Sequence, residues 1–306
     1  MYRNPMKQND TVIGCLCAFG CEALFGLSYL FTKQATQAAG PFALLGWRFF
    51  VAALTMGLCI LVGVIKVQLK GKPLVPLLLV ALFSPCIYFI GETLGISHTT
   101  ASESGVFLAC IPVASLMAST LLLKKKPSKL QVYGILITLL GVMVTVFAVG
   151  AASSLSVIGY AFLLLAVLSY ALYSVFVEKA TAYTGGEITC IMLVAGAIVF
   201  GTIALCEAFF HGTVGELVTL PFRNSAFLAA VLYQGIGCSV LAFFLSNVAI
   251  AKIGVNRTSS FIGVSTVVSI LAGALLLKES FTALQIIGAG VIIIGVYTAN
   301  ARINAV

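Results

Sequence analysis

Three ionisable side chains, Glu22, Arg48 and Glu92, stand inside long runs of apolar residues. A charge in hydrocarbon costs at least ~2.5 to 3.5 kcal/mol on insertion scales, so each asks for a partner or a task. Glu22 lies about 16 Å from the start of its run at 1.5 Å per residue, close to the middle of a bilayer. Hydrocarbon penalises a carboxylate, which makes available a carboxyl that takes up and gives back a proton, with a cationic group as its competitor. The other reading is a protonated glutamic acid hydrogen-bonded to a neighbouring helix for structural reasons. Arg48 and Glu92 fall at similar depth, about 9 Å and about 6 Å from the nearer ends of their runs, and are candidate partners. Ser84, Tyr88 and Glu92 recur every four residues, a polar stripe that a cavity would tolerate and lipid would not. Beside Trp47, Arg48 could instead snorkel toward headgroups.

Around these charges, Tyr29, Tyr170, Tyr173 and Tyr233, with Gln234 and Asn247, could line a cavity with aromatic walls. They could equally pack helices together. Pro85 and Pro112 interrupt their runs, where a kink would turn carbonyls toward a cavity. Cys15 and Cys17, two apart, point to different helix faces, and no histidine or carboxylate completes a zinc set with them and Cys21, so no metal and no cofactor is expected. Glu207 and His211, four apart at the end of a run, read as a solvated face.

The elements that must position these groups are membrane helices. A chain that is 61% hydrophobic and 8% charged cannot hide its apolar surface in one aqueous globule. Ten apolar stretches are long enough to span: 11 to 31, 42 to 64, 75 to 96, 104 to 123, 130 to 149, 157 to 177, 188 to 210, 226 to 247, 257 to 277 and 282 to 300. The first runs into "FTKQATQAAG" without a cleavage site and is kept as a helix. Glu103 after Ser102 and Arg257 after Asn256 read as N-terminal helix signals. Connections are short, so no soluble domain is expected.

A net charge of +8 would point to nucleic acid in a soluble protein, but here its placement gives topology. Arg3, Lys7, Lys66, Lys70, Lys72, Lys124, Lys125, Lys126, Lys129, Lys179, Lys252, Arg257 and Arg302 share one side, against Lys33, Arg223 and Lys278 on the other. Both termini are therefore expected in the cytoplasm, with the chain in the plasma (inner) membrane in contact with lipid.

"LLLKKKPSKLQ" from Leu121 returns as "LLLKESFTALQ" from Leu275. The match runs without a gap through Phe107 and Phe261, Ser115 and Ser269, Gly134 and Gly288, and Gly141 and Gly295. Ser28 and Lys33 similarly match Ser174 and Lys179. A unit repeated after five helices enters the membrane the other way up, which predicts two inverted five-helix repeats, residues 1–150 and 151–306. The lysines of the first phrase fall in an inner loop and the Lys-Glu pair of the second in an outer one.

These residues resemble the drug/metabolite transporter superfamily, specifically its ten-helix EamA type. Phe25-Gly26 followed by Lys33 looks like that family's first helix, and "PFALLGWRFF" like its second. "TLGISHTTASESGVFLACIPVASLMAS" resembles its third and fourth, and "LLLKESFTALQIIGAGVIIIGV" its closing motif. One departure is that the family carries an acid in both halves, whereas here Lys125 stands opposite Glu279. Glu22 also resembles the first-helix glutamate of the small multidrug resistance transporters. The resemblance implies secondary transport of a small metabolite, amino acid or lipophilic or cationic drug by alternating access through a central cavity.

The expected function is thus a monomeric, proton-coupled transporter, with Glu22, Arg48, Glu92, Tyr88, Trp47, Tyr29, Tyr173 and Tyr233 as candidate solute- or proton-binding residues. An uncoupled facilitator of the same fold is the alternative. A receptor would usually add a cytoplasmic output domain. An enzyme would need a catalytic constellation that neither His98 nor His211 completes.

Overall fold

A computed structural model of the chain describes residues 8–35, 39–99, 104, 107–148, 156–277 and 282–301. Arg3, Lys7, Glu103, Lys278, Glu279, Arg302 and the expected boundary between the halves lie outside the described residues, as do the side chains of Tyr29 and Lys33. No strand occurs among the described residues. The helices are α1 (Gln8–Ala35), α2 (Pro41–Leu61), α3 (Val75–His98), α4 (Ile111–Leu123), α5 (Lys129–Ala148), α6 (Val157–Lys179), α7 (Gly185–Phe210), α8 (Val214–Arg223), α9 (Ser225–Ile253), α10 (Val255–Ser260), α11 (Ile262–Leu277) and α12 (Ala283–Asn300).

Among the described residues, eight helices are long and apolar enough to cross a membrane, and Phe107–Leu123 is a shorter apolar one. Large apolar side chains such as Leu58, Leu61, Leu140 and Ile293 face outward, the reverse of a soluble surface. The interior holds Phe49 and Phe200, both fully buried and stacked at 5.2 Å between ring centres, with Phe89 and Phe243 beside them.

Three local structures depart from ideal helix. Inside α3, residues Leu82–Ile87 form π-helical turns broken at Ser84, whose backbone is extended just before Pro85. Pro112, expected to kink its helix, sits in the first turn of α4, where a missing N–H costs nothing. In α9, Tyr233–Ala242 winds as a π-helix. The ninth predicted span begins at Val255, so Asn256 and Arg257 lie in the first turn rather than at the cap; Gly254 holds that place, with φ +82°.

Helix α5 packs along α12 more extensively than any other pair. Glycines make the approach possible, since lipid supplies no hydrophobic drive and backbones must come close to gain dispersion energy. A Cβ at Gly141 would meet Ile292 N at 2.7 Å and Gly288 O at 2.8 Å. One at Gly295 would meet Thr138 N at 2.5 Å and Gly134 O at 2.8 Å. Gly134 lies against Ala299, and a Cβ at Gly288 would lie 3.1 Å from Thr145 N.

Both ends of the described chain lie at one end of the bundle. Asp10 of α1 pairs with Lys252 at the end of α9, and Asn300 of α12 donates to Ser260 Oγ of α10 at 2.8 Å. The other end carries α8, tied to α2 by the Trp47 indole N–H, which donates to Leu217 O at 2.9 Å.

Candidate functional site

Glu22 points inward and is 6% exposed. One turn farther along α1, Gly26 brings that helix onto α11, where a Cβ would meet Ser265 O at 2.6 Å and Val268 Cβ at 2.7 Å. This close approach brings the Ser265 side of α11 near the Glu22 stretch of α1. Ser265 Oγ itself donates to Ile262 O at 2.7 Å. Cys21 Sγ lies 4.0 Å from Glu22 Oε1, a weak contact at best.

Tyr170 of α6 lies within electrostatic reach of Glu22 and joins it to the other candidates. Its ring meets Tyr173 edge-on at 5.5 Å and Tyr88 of α3 at 5.7 Å. The Tyr88 hydroxyl donates to Glu92 Oε1 at 2.7 Å, the contact expected of residues four apart on one helix. The Tyr173 hydroxyl donates to Asn247 Oδ1 at 2.7 Å, and Asn247 Nδ2 donates to Thr189 Oγ1 at 2.9 Å. That network satisfies an amide with no exposed surface and locks α6, α7 and α9 together.

Arg48, also 6% exposed, does not snorkel. Its Nε donates to Ser239 Oγ, in the π-helical part of α9, at 2.7 Å. Its guanidinium carbon lies 4.7 Å from the Phe89 ring centre and 5.4 Å from that of Phe49. Glu92 and Tyr88 are within its electrostatic reach, but Arg48 and Glu92 form no direct ion pair. Gly235, one π-turn before Ser239, allows this approach: a Cβ there would lie 3.0 Å from Arg48 O.

The remaining candidates sit farther out. Trp47 is committed to Leu217 and packs edge-on to Phe50. The Tyr233 hydroxyl donates to Leu24 O at 2.9 Å, and its ring stacks on Phe31 at 4.2 Å. Tyr29 belongs to α1, two turns past Glu22.

Sequence reasoning overlooked Ser239, Ser265 and Phe89, single residues in apolar runs that only the helix crossings bring to the charges. It also missed the ion pairs at the lysine-rich end. Glu178, buried at the end of α6, binds Lys125 through Oε1 and accepts the Val255 N–H through Oε2 at 2.9 Å. Glu187, in the first turn of α7, binds Lys72 at 2.8 Å and accepts the Gln68 N–H at 2.9 Å. These contacts tie helix ends and a loop together at that end of the bundle.

The EamA-like transporter family model matches the chain twice, over residues 12–147 and 157–301. The chain is 34% identical over 283 residues to "Uncharacterized transporter YcxC" of Bacillus subtilis (strain 168), covering 92% of this chain and 90% of that protein. It is 24% identical over 273 residues to an "Uncharacterized transporter" of Archaeoglobus fulgidus, covering 89% and 93%. A solved structure titled "Crystal structure of protein" superposes with a TM-score of 0.76 at 21% identity, covering 96% of each chain, which places the fold. With its membrane-length helices, its buried charges and two matches that together span nearly all its residues, the chain is a multi-pass membrane protein that belongs to the EamA-like transporter family.

Proposed function

We propose that this protein is a monomeric secondary transporter that carries a small metabolite, amino acid or lipophilic cation across the plasma membrane by alternating access, with Glu22 coupling the passage to a proton. The observation that carries this reading is the placement of Glu22, a carboxyl buried in the middle of a membrane-length helix. A buried acid that can take up and give back a proton is what proton exchange requires.

Alternating access is assigned to two inverted halves, 1–150 and 151–306. The α5 and α12 contacts support the pairing: Gly141 on Gly288 mirrors Gly295 on Gly134, and Gly134 on Ala299 mirrors Gly288 on Thr145. A two-fold relation produces that reciprocity. The lysine-rich end, which holds both ends of the described chain, is assigned to the cytoplasm by its charge. On this reading the Lys125–Glu178 and Lys72–Glu187 pairs tie helix ends and a loop together on the inner side.

The test is uptake into proteoliposomes of a panel of amino acids and lipophilic cations, with and without a pH gradient. Gradient-driven accumulation that Glu22→Gln abolishes in a folded protein supports the reading. Flux indifferent to the gradient makes the protein a facilitator, and no flux of any solute refutes transport.

A further inference from the structure

Helix α8 is too short to cross a membrane, since its 10 residues reach about 15 Å at 1.5 Å per residue, about half the hydrocarbon thickness. Its sequence nevertheless divides into three faces at about 100° per residue. Val214, Val218 and Phe222 form an apolar stripe, and Glu216, Thr219 and Arg223 form a polar one. Leu217, Leu220 and Pro221 form the third, which faces the bundle. Pro221 is buried, Leu220 packs on the cluster of Leu44 and Phe227, and Leu217 O accepts the Trp47 indole N–H. The bundle therefore covers one face and leaves two.

Of these, the polar face suits water. The apolar stripe does not: Phe222 is 83% exposed, Val214 and Val218 are exposed beside it, and such a row left in water invites association. What covers it is indicated by the surfaces it continues. Helix α7 is of membrane length and turns Ile198, Leu205, Phe209 and Phe210 outward. After Phe210 the chain turns at Gly212, φ +71°, and Thr213 N donates to Ala208 O at 2.8 Å, which sets the start of α8 beside the last turns of α7. Leu205, Cys206, Phe209, Phe210 and Val214 line an apolar groove of about 370 Å³ between the two helices. On the side of α2, Phe50 faces outward and packs edge-on to Trp47, the residue bonded to α8. The apolar stripe is thus an extension of the lipid-facing belt.

We propose that α8 is an interfacial helix, lying along the membrane surface at the end of the bundle away from the lysines. Val218 and Phe222 are seated in phospholipid, an acyl chain of the same leaflet fills the groove at Val214, and Glu216, Thr219 and Arg223 meet water. Trp47 joins this arrangement as an indole at headgroup level, and its hydrogen bond fastens α2 to the surface helix. The leaflet is the outer one on the orientation given above. Contact with lipid depends neither on that orientation nor on transport.

The experiment is tryptophan fluorescence of the full-length protein in phosphatidylcholine vesicles, with dibrominated acyl chains quenching from the lipid and iodide, on both sides of the bilayer, quenching from water. Trp47 is the only tryptophan in the sequence and supplies the baseline. Emission added by Val218→Trp and by Phe222→Trp should be quenched by brominated lipid at least about twofold more strongly than emission added by Thr219→Trp, and iodide should reverse the order. Phe209→Trp, in the groove, should follow the lipid pattern. Equal iodide quenching at positions 219 and 222 overturns the proposal. Shielding of Phe222→Trp from both quenchers also overturns it, because a second copy of the chain then covers the stripe. A second reading uses Trp47 alone: Val218→Asp combined with Phe222→Asp should drive α8 off the lipid and expose the indole, seen as red-shifted emission and a gain in iodide quenching. Unchanged Trp47 emission in that folded variant counts against the proposal, and the tryptophan variants decide it if the aspartates prevent folding.

Discussion

Lys125 and Glu178 meet across the lysine-rich end of the bundle, the lysine just past α4 and the acid at the end of α6. The lysine is 43% exposed and the acid 4%, so the pair is anchored on its buried side, and Glu178 also caps α10 through the Val255 N–H. One carboxylate thus ties together three helices. The lysine that departs from the family's acidic pattern has its acid on another helix.

Glu178→Gln should cost about 1.5 to 3 kcal/mol, the range of hydrogen bonds to a charged group. It should also open the inner end. Thermal unfolding in detergent checks the first expectation. Maleimide labelling of Cys190, buried near that end of α7, should rise in the variant if the pair holds the end shut. Unchanged labelling would show that Glu178 only stabilises.

The α5 and α12 interface gives a paired expectation. Gly141→Ala and Gly295→Ala each push a methyl into backbone of the opposite helix and should each cost about 1 to 3 kcal/mol, the usual price of overpacking. Gly201→Ala, with nothing within 4 Å, should be level or gain up to ~1 kcal/mol from helix propensity. Unequal costs at the two matched glycines would count against a two-fold interface.

Arg48→Ala and Glu92→Ala should each impair uptake, and the double variant should be no worse than the more severe single one. Side chains that share Tyr88 and an electrostatic field couple by about 0.5 to 3 kcal/mol. Initial rates in proteoliposomes measure this. Strictly additive losses would mean that the two act apart.

Tyr173→Phe leaves the buried Asn247 Oδ1 without its donor and should cost about 1 to 3 kcal/mol. Adding Asn247→Leu should cost less than the sum of the singles, because Thr189 keeps its bond to Gly185 O at 2.7 Å. Denaturation of the three variants decides it.

Much of this was legible in the sequence because lipid imposes simple demands. A carboxyl in the middle of α1 had to face inward, and Glu22 does; residues four apart had to meet, and Tyr88 reaches Glu92. Contacts between distant residues were not legible. Arg48 was matched by depth to Glu92, but depth ignores direction, and the guanidinium turns to Ser239 on a helix far along the chain. The eighth span was read as ending at Asn247, because a polar residue lowers hydropathy; α9 continues to Ile253, because Tyr173 and Thr189 satisfy that amide within the bundle. Trp47 read as a neighbour of the charge, whereas its indole spends its hydrogen bond on α8.

The π-helical stretch of α9 is wound more loosely than α-helix and lies between two fixed points. Tyr233 is pinned to Leu24 at its start, and Asn247 is pinned to Tyr173 beyond its end. Were those turns to tighten to ordinary α-helix, everything after them would roll by about 100° about the axis, the angle of a single residue. Asn247 would then swing off Tyr173 while Tyr233 stayed on Leu24, so the wound and unwound settings could not share the same set of bonds.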